Sequence, residues 1–108
     1  MIAEQPRDRD AEARLTHALT RHAAAAGVKL DVENGLAQPW FSATFEGVQL
    51  HLTLSAAPAA KAQLWLDGLS EAELPMCGHV AMPPAVDRVG KCSNGLVAQV
   101  TVLVLVDG

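Results

Sequence analysis

Residues Trp40 to Leu54 constrain the fold more than any other stretch. Val48, Leu50, Leu52 and Leu54 alternate with Gln49, His51 and Thr53; just upstream, Phe41, Ala43 and Phe45 alternate with Trp40, Ser42 and Thr44. A period of two sends successive side chains to opposite faces of a strand, so these residues predict two strands with one apolar face each. Glu46-Gly47 predicts a two-residue turn that pairs Phe45 with Val48, Ala43 with Leu50 and Phe41 with Leu52. The other face then carries Trp40, Ser42, Thr44, Gln49, His51 and Thr53, with Ser42 opposite His51 and Trp40 opposite Thr53. An antiparallel sheet with one face in a core and one face polar is the expected frame.

Helical spacing dominates before this hairpin and again after it. Ala11, Leu15, Ala18, Leu19, His22 and Ala26 form a stripe, with Asp8 or Asp10 as the expected cap and Gly27 as the stop. Most of the stripe is small, so this helix is expected to lie close to its partner. Val28–Glu33 reads as a short strand ended by an Asn34-Gly35 turn. Ser55-Ala56-Ala57-Pro58 opens a second helix whose stripe is Pro58, Ala62, Trp65, Leu66 and Leu69, with Gly68 at its end. The last third predicts another hairpin, with arms 79–90 and 96–106 joined through Asn94-Gly95. Pro83-Pro84 should put the first arm on a sheet edge or bend it. Simple pairing across Asn94-Gly95 leaves Asp87 on the same face as Val100 and Val102, a conflict that needs a bulge at the prolines or a longer loop. The order predicts an α+β fold: an αββαββ two-layer sandwich whose antiparallel sheet carries both helices on one face, a permuted ferredoxin-like arrangement.

A chain of 108 residues is the size of a single domain, here residues 1–108 with 1–7 as a flexible N-terminal tail. With 8 Lys+Arg against 12 Asp+Glu the net charge is −4, and no basic run occurs, so a nucleic-acid partner is not expected. The charged start Met1–Asp10 lacks the apolar segment of a secretory signal. The apolar-rich run Leu96–Val106 has 11 residues, well short of the roughly 20 that span a bilayer, so no membrane partner is expected either. A cytoplasmic setting follows as the expectation, with Cys77 and Cys92 as thiols.

Three residue sets invite chemistry. Cys77-Gly78-His79 with Cys92 offers zinc-type ligands, but a structural site needs four and no second Cys-x-x-Cys half exists. The commoner meaning of such residues is small packed or loop thiols and a strand histidine. Ser42 beside His51 would be half of a nucleophilic site, yet no acid or oxyanion motif accompanies it. Trp40 on a polar face needs cover from a loop, a ligand or a partner. His22, on the apolar stripe, reads as a core or boundary residue with a satisfied ring, and Trp65 reads as core. No phosphate-cradling loop, paired-carboxylate motif or other cofactor motif is present, and no catalytic set is assembled.

The last strand points elsewhere. Val100, Val102, Val104 and Val106 fill one face while Leu103 and Leu105 make the other apolar as well. Two helices on one side leave Leu103 and Leu105 to be covered by something else. The sequence thus predicts a non-enzymatic binding or assembly module, most simply a homodimer, working through an open sheet face with Trp40, Ser42, His51, Leu103 and Leu105 as candidate contacts. The alternative is a small enzyme or ligand carrier anchored at His51 and Ser42, or at a metal held by Cys77, His79 and Cys92.

Overall fold

Helix α1 spans Pro6–Ala25 in the computed structural model of the chain, which describes residues 6–76 and 78–106. The helix starts before either aspartate read as its cap, so Asp8 and Asp10 lie inside it, as do Pro6 and Arg7 from the expected tail. Proline fits the first turn because its missing N–H has no intrahelical partner there. Asp10 instead accepts from Arg14 Nε, one turn on, at 3.0 Å. Ala11, Leu15, Ala18, Leu19 and Ala23 are buried, with His22 half-buried beside them. Ala26, expected on the stripe, is exposed because the helix has closed before it. Gly27 has φ +77°, its N–H bonds Ala24 O at 3.0 Å, and Val28 N–H bonds Ala23 O at 2.9 Å. This closure needs a left-handed residue after the helix, which glycine supplies without strain.

Six strands follow: β1 (Lys29–Phe41), β2 (Glu46–Ala57), β3 (Pro75–Met76), β4 (His79–Ala81), β5 (Ala85–Lys91) and β6 (Leu96–Val106). Helix α2 (Ala59–Asp67) and a 3-10 turn at Leu69–Glu71 separate β2 from β3. All pairings are antiparallel. The order is β1-β2-β6-β4-β3, with β5 also on β6. The two central strands are therefore β2 and β6, and the α+β two-layer sandwich expected from the sequence is the fold of the chain.

The first hairpin keeps its expected faces and changes its register. Phe41 pairs with Glu46, and the turn is Ser42–Phe45, closed by Ser42 N–H to Phe45 O at 2.8 Å. Ser42 Oγ accepts from Phe45 N–H at 3.0 Å, which fixes a four-residue turn instead of Glu46-Gly47. Relative to the expected pairing, the strands slip by an even number of residues near the turn, so the side chains of Trp40 and Phe41 and those from Val48 to Leu54 stay on their predicted faces, while 42–45 leave the sheet for the turn. Ser42 is thereby moved away from His51, and Trp40 pairs with Gly47 instead of Thr53. Phe41 and Phe45, expected in the core, are 64% and 56% exposed at the hairpin tip, and Ala43 is exposed with them. Asn34-Gly35 is not a turn. It lies inside β1, where the pairing shifts between Asn34 and Ala37.

The second hairpin resolves the conflict at Asp87. Its loop is Cys92–Gly95, closed by Cys92 N–H to Gly95 O at 3.0 Å, with Lys91 paired to Leu96. That loop moves the pairing by two residues and so leaves every face unchanged. The bulge between Val86 and Arg88 makes the switch: Val86 pairs with Val100, Arg88 with Gln99, and Asp87 is the extra residue. Pro83 and Pro84 break the expected long arm into β4 and β5, both paired to β6.

One hydrophobic cluster joins the layers. Val48, Leu50, Leu52 and Leu54 of β2 and Leu96, Ala98, Val100, Val102 and Val104 of β6 meet α1, together with Ala62, Trp65 and Leu66 of α2 and Leu69. Each fully buried Leu or Val contributes about 1.5–3 kcal/mol, so these two strands hold much of the fold's stability. Trp65 Nε1–H donates to His22 Nδ1 at 2.8 Å, which ties the two helices together. His22 is the bonded boundary residue that its position suggests, with Nδ1 as acceptor.

Candidate functional site

With both helices on one side, the opposite side of the sheet presents five rows of side chains. Directly paired residues point to the same face, so the register defines each row. The first row is Trp40, Gly47, Leu105 and Val80. The second contains Gln38, Gln49 and Leu103, with Met82 N–H bonded to Leu103 O at 2.8 Å. His51, Thr101 and Ala85 make the third, Glu33, Thr53, Gln99 and Arg88 the fourth, and Asp31, Ser55, Val97 and Gly90 the fifth. Trp40, Leu103 and Leu105 are half-buried and Val80 is 55% exposed, so one end of the face is apolar. The other end carries charges of both signs.

Gly47 belongs in the apolar row for a steric reason. A Cβ there would overlap Val104 O of the neighbouring strand. The residue between Trp40 and Leu105 is therefore a dip.

The middle row is a bonded chain. Thr101 Oγ–H donates to Asp87 Oδ2 at 2.6 Å, and Thr101 Oγ1 lies 3.2 Å from His51 Nδ1. The hydroxyl has one proton and gives it to the carboxylate, so toward His51 it accepts, and Nδ1 carries the hydrogen. His51 Nε2 is 3.3 Å from Gln38 Oε1. A charged ring donates there; a neutral ring accepts from the same amide turned to present its NH2. Either way Asp87, Thr101, His51 and Gln38 satisfy one another across the sheet. An imidazole held by a carboxylate through a hydroxyl is oriented like a general base, but its second nitrogen meets Gln38, and no serine or cysteine stands in this row.

The remaining sequence candidates disperse. Ser42 is engaged in its turn, and Cys77 lies outside the described residues. His79 pairs with Val106 on the helix side of the sheet, its side chain 7% exposed and its Nε2 3.7 Å from Asp10 Oδ2. Cys92 is an exposed free thiol in the loop beyond Leu96, at the other end of β6 from His79, about 33 Å away at 3.3 Å per residue. His79 and Cys92 therefore do not share a site. Among the described residues no group of three His, Cys, Asp or Glu side chains is placed to hold a metal ion. No helix among them is long and apolar enough to cross a membrane.

Concavities lie along this face and its edges, one of them of about 240 Å³ beside Asp31, Ser55 and the Cys92–Gly95 loop. Another of about 230 Å³ is lined by His51, Thr53, Asp87 and Gln99, below the ~300 Å³ at which small-molecule pockets begin. A cleft of about 640 Å³ runs between the 3-10 turn and β3–β4, lined by Glu71, Glu73, Met76, His79, Val80 and Pro83. Its two carboxylates are on exposed residues at and just after the 3-10 turn, and the His79 ring, largely buried, lies against Asp10 of α1.

Sequence reasoning missed Gln38, Thr101, Asp87 and Val80 as members of this face. Thr101 left a signal, a polar residue inside the apolar run of β6; Asp87 left one too, its clash with the Val100/Val102 face, but the bulge that resolves it lies between Val86 and Arg88 and not at the prolines. Comparison of the chain with protein-family models, with curated proteins and with solved structures finds no match, so the face itself is the ground for a functional reading.

Proposed function

We propose that this chain is a non-enzymatic assembly module whose working surface is the open sheet face, covered by another protein surface. The observation that carries the reading is the join of two features on one face. Trp40, Leu103, Leu105 and Val80 form an apolar end, and the polar row beside it is already internally bonded. Burying an unbonded His, Thr or Asp would cost several kcal/mol; burying a satisfied chain of them costs far less. The middle row can thus meet a partner with its imidazole and hydroxyl already bonded. A reducing, cytoplasmic setting is part of the proposal, in keeping with the exposed thiol of Cys92.

Sedimentation velocity on the untagged chain from 1 to 100 µM tests the reading, with Leu103→Asp as the matched variant. The wild type should self-associate, and the variant should run as a monomer with an unchanged circular dichroism spectrum. A wild type that stays monomeric throughout overturns self-assembly. The rival reading, a small-ligand carrier, draws on the concavity at His51. It predicts that compounds raising Tm lose their effect in His51→Ala.

A further inference from the structure

The partner that fits the open face best is a second copy of the same face, turned about an axis parallel to the strands. We infer that the chain forms a two-fold dimer in which the sheets stack face to face, the axis running over the β2–β6 seam. This rests on the assembly reading above and specifies its occupant.

A two-fold rotation about an axis along the strands keeps every row at its own level and reverses its direction. The fourth row begins with Glu33 on β1 and ends with Arg88 on β5, so reversal sets each Glu33 over the partner subunit's Arg88. Asp31 is two residues from Glu33 on the same face, within reach of the same guanidinium. Asp87, next to Arg88 on the bulge, is already held by Thr101 at 2.6 Å. The first row reads Trp40, Gly47, Leu105, Val80; reversed, it sets the large Trp40 over Val80 and Leu105 over the dip at Gly47. Large meets small and acid meets base in one operation, at positions fixed by the register alone.

The other face-to-face arrangement fails on the same rows. An axis across the strands, through the His51 row, would reverse the levels and put Trp40 over Asp31 and Leu105 over Val97. The indole would then cover a carboxylate, and neither Glu33 nor Arg88 would find its opposite. Aligned face-to-face packing, with strands within about 30° of each other, is met by either axis, so the side-chain rows decide between them. The face is large enough. An eleven-residue β6 flanked by β2, β1 and the β4/β5 side gives a patch of about 700 Å² per copy, from ~3.3 Å per residue and ~4.8 Å per strand. Stable interfaces bury about 800 Å² per partner.

Charge reversal tests the axis separately from the face. Glu33→Arg and Arg88→Glu should each weaken self-association at least tenfold, because each homodimer acquires two like-charge contacts. An equimolar mixture of the two variants should recover wild-type affinity to within about threefold, since the heterodimer sets the two arginines of one protomer against the two glutamates of its partner. Sedimentation equilibrium reads all three, with denaturation midpoints confirming that the variants fold. A wild-type monomer overturns the assembly reading and this inference with it. A wild-type dimer that Leu103→Asp dissociates, but whose single reversals are neutral or whose mixture is not restored, overturns the axis and leaves the face as the interface.

Discussion

The bond between Trp65 and His22 is the one side-chain hydrogen bond found between the two helices among the described residues, and Trp65→Phe measures what it contributes. The indole N–H donates to His22 Nδ1 at 2.8 Å, and Trp65 is 5% exposed. Phenylalanine keeps an aromatic ring in the layer and removes the donor. The lost bond costs about 0.5–1.5 kcal/mol, since water reaches the half-buried acceptor only in part. The smaller ring gives up roughly 40 Å² of buried apolar surface, about 1 kcal/mol, and leaves a small void that adds to it. Together these predict a loss of about 2–3 kcal/mol, a large share of the 5–15 kcal/mol that ordinarily holds a domain. Urea unfolding followed by far-ultraviolet circular dichroism measures it without depending on indole fluorescence. A double-mutant cycle with His22→Leu then isolates the pair, with an expected coupling of about 1 kcal/mol. A Trp65→Phe variant within 0.5 kcal/mol of wild type, or a coupling near zero, would show that the helices are held by apolar packing alone.

Three further substitutions probe the sheet. Gly95→Ala should destabilise by about 1–3 kcal/mol, read by urea midpoint, because its Cβ would overlap Ala56 O and come within 3.2 Å of Ala57 Cα. Thr101→Val preserves shape and removes the hydroxyl; it should cost about 1 kcal/mol and abolish the Nδ1-protonated tautomer of His51 in long-range nitrogen–proton correlation spectra. Ser42→Ala should cost about 1 kcal/mol, with faster amide exchange at Phe45, whose N–H the hydroxyl oxygen accepts at 3.0 Å.

The faces of this sheet were legible in the sequence, and its register was not. A period of two assigns Trp40 and His51 to one face and Val48, Leu50, Leu52 and Leu54 to the other, and an even slip changes no face. The slip itself came from turn chemistry. Ser42 makes a side-chain-closed four-residue turn, whereas Gly47, which looked like the turn residue, is there to let Val104 O approach. Asn34-Gly35 misled in the same way, a turn dipeptide serving a shift inside a strand. The candidate site was half readable. Leu103 and Leu105 announced themselves as apolar residues on a strand already apolar on its other side. Asp87 could not be placed, since its position depends on a one-residue bulge that reverses the pattern before it. Helix ends were mixed: Gly27 stopped α1 as glycine should, while α1 includes Pro6, before the aspartates read as its caps, because proline fits the first turn of a helix.

The β2–β6 ladder has a consequence for how the chain reaches this fold. Each hairpin contains one central strand, and the seam between them pairs residues such as Leu50 and Val102 across half the chain. The local hairpins can close on their own in microseconds, but neither has a finished core until the two meet. Folding is therefore a docking of halves, with the entropy of the long connection lost before the apolar faces of β2 and β6 repay it, which places the reaction among the slower topologies for a domain of this size. The same seam makes the chain divisible. A break in the segment after α2 would leave a helix–hairpin–helix piece and a hairpin piece with complementary edges, so the covalent connection supplies proximity, while the information that aligns the halves resides in the ladder.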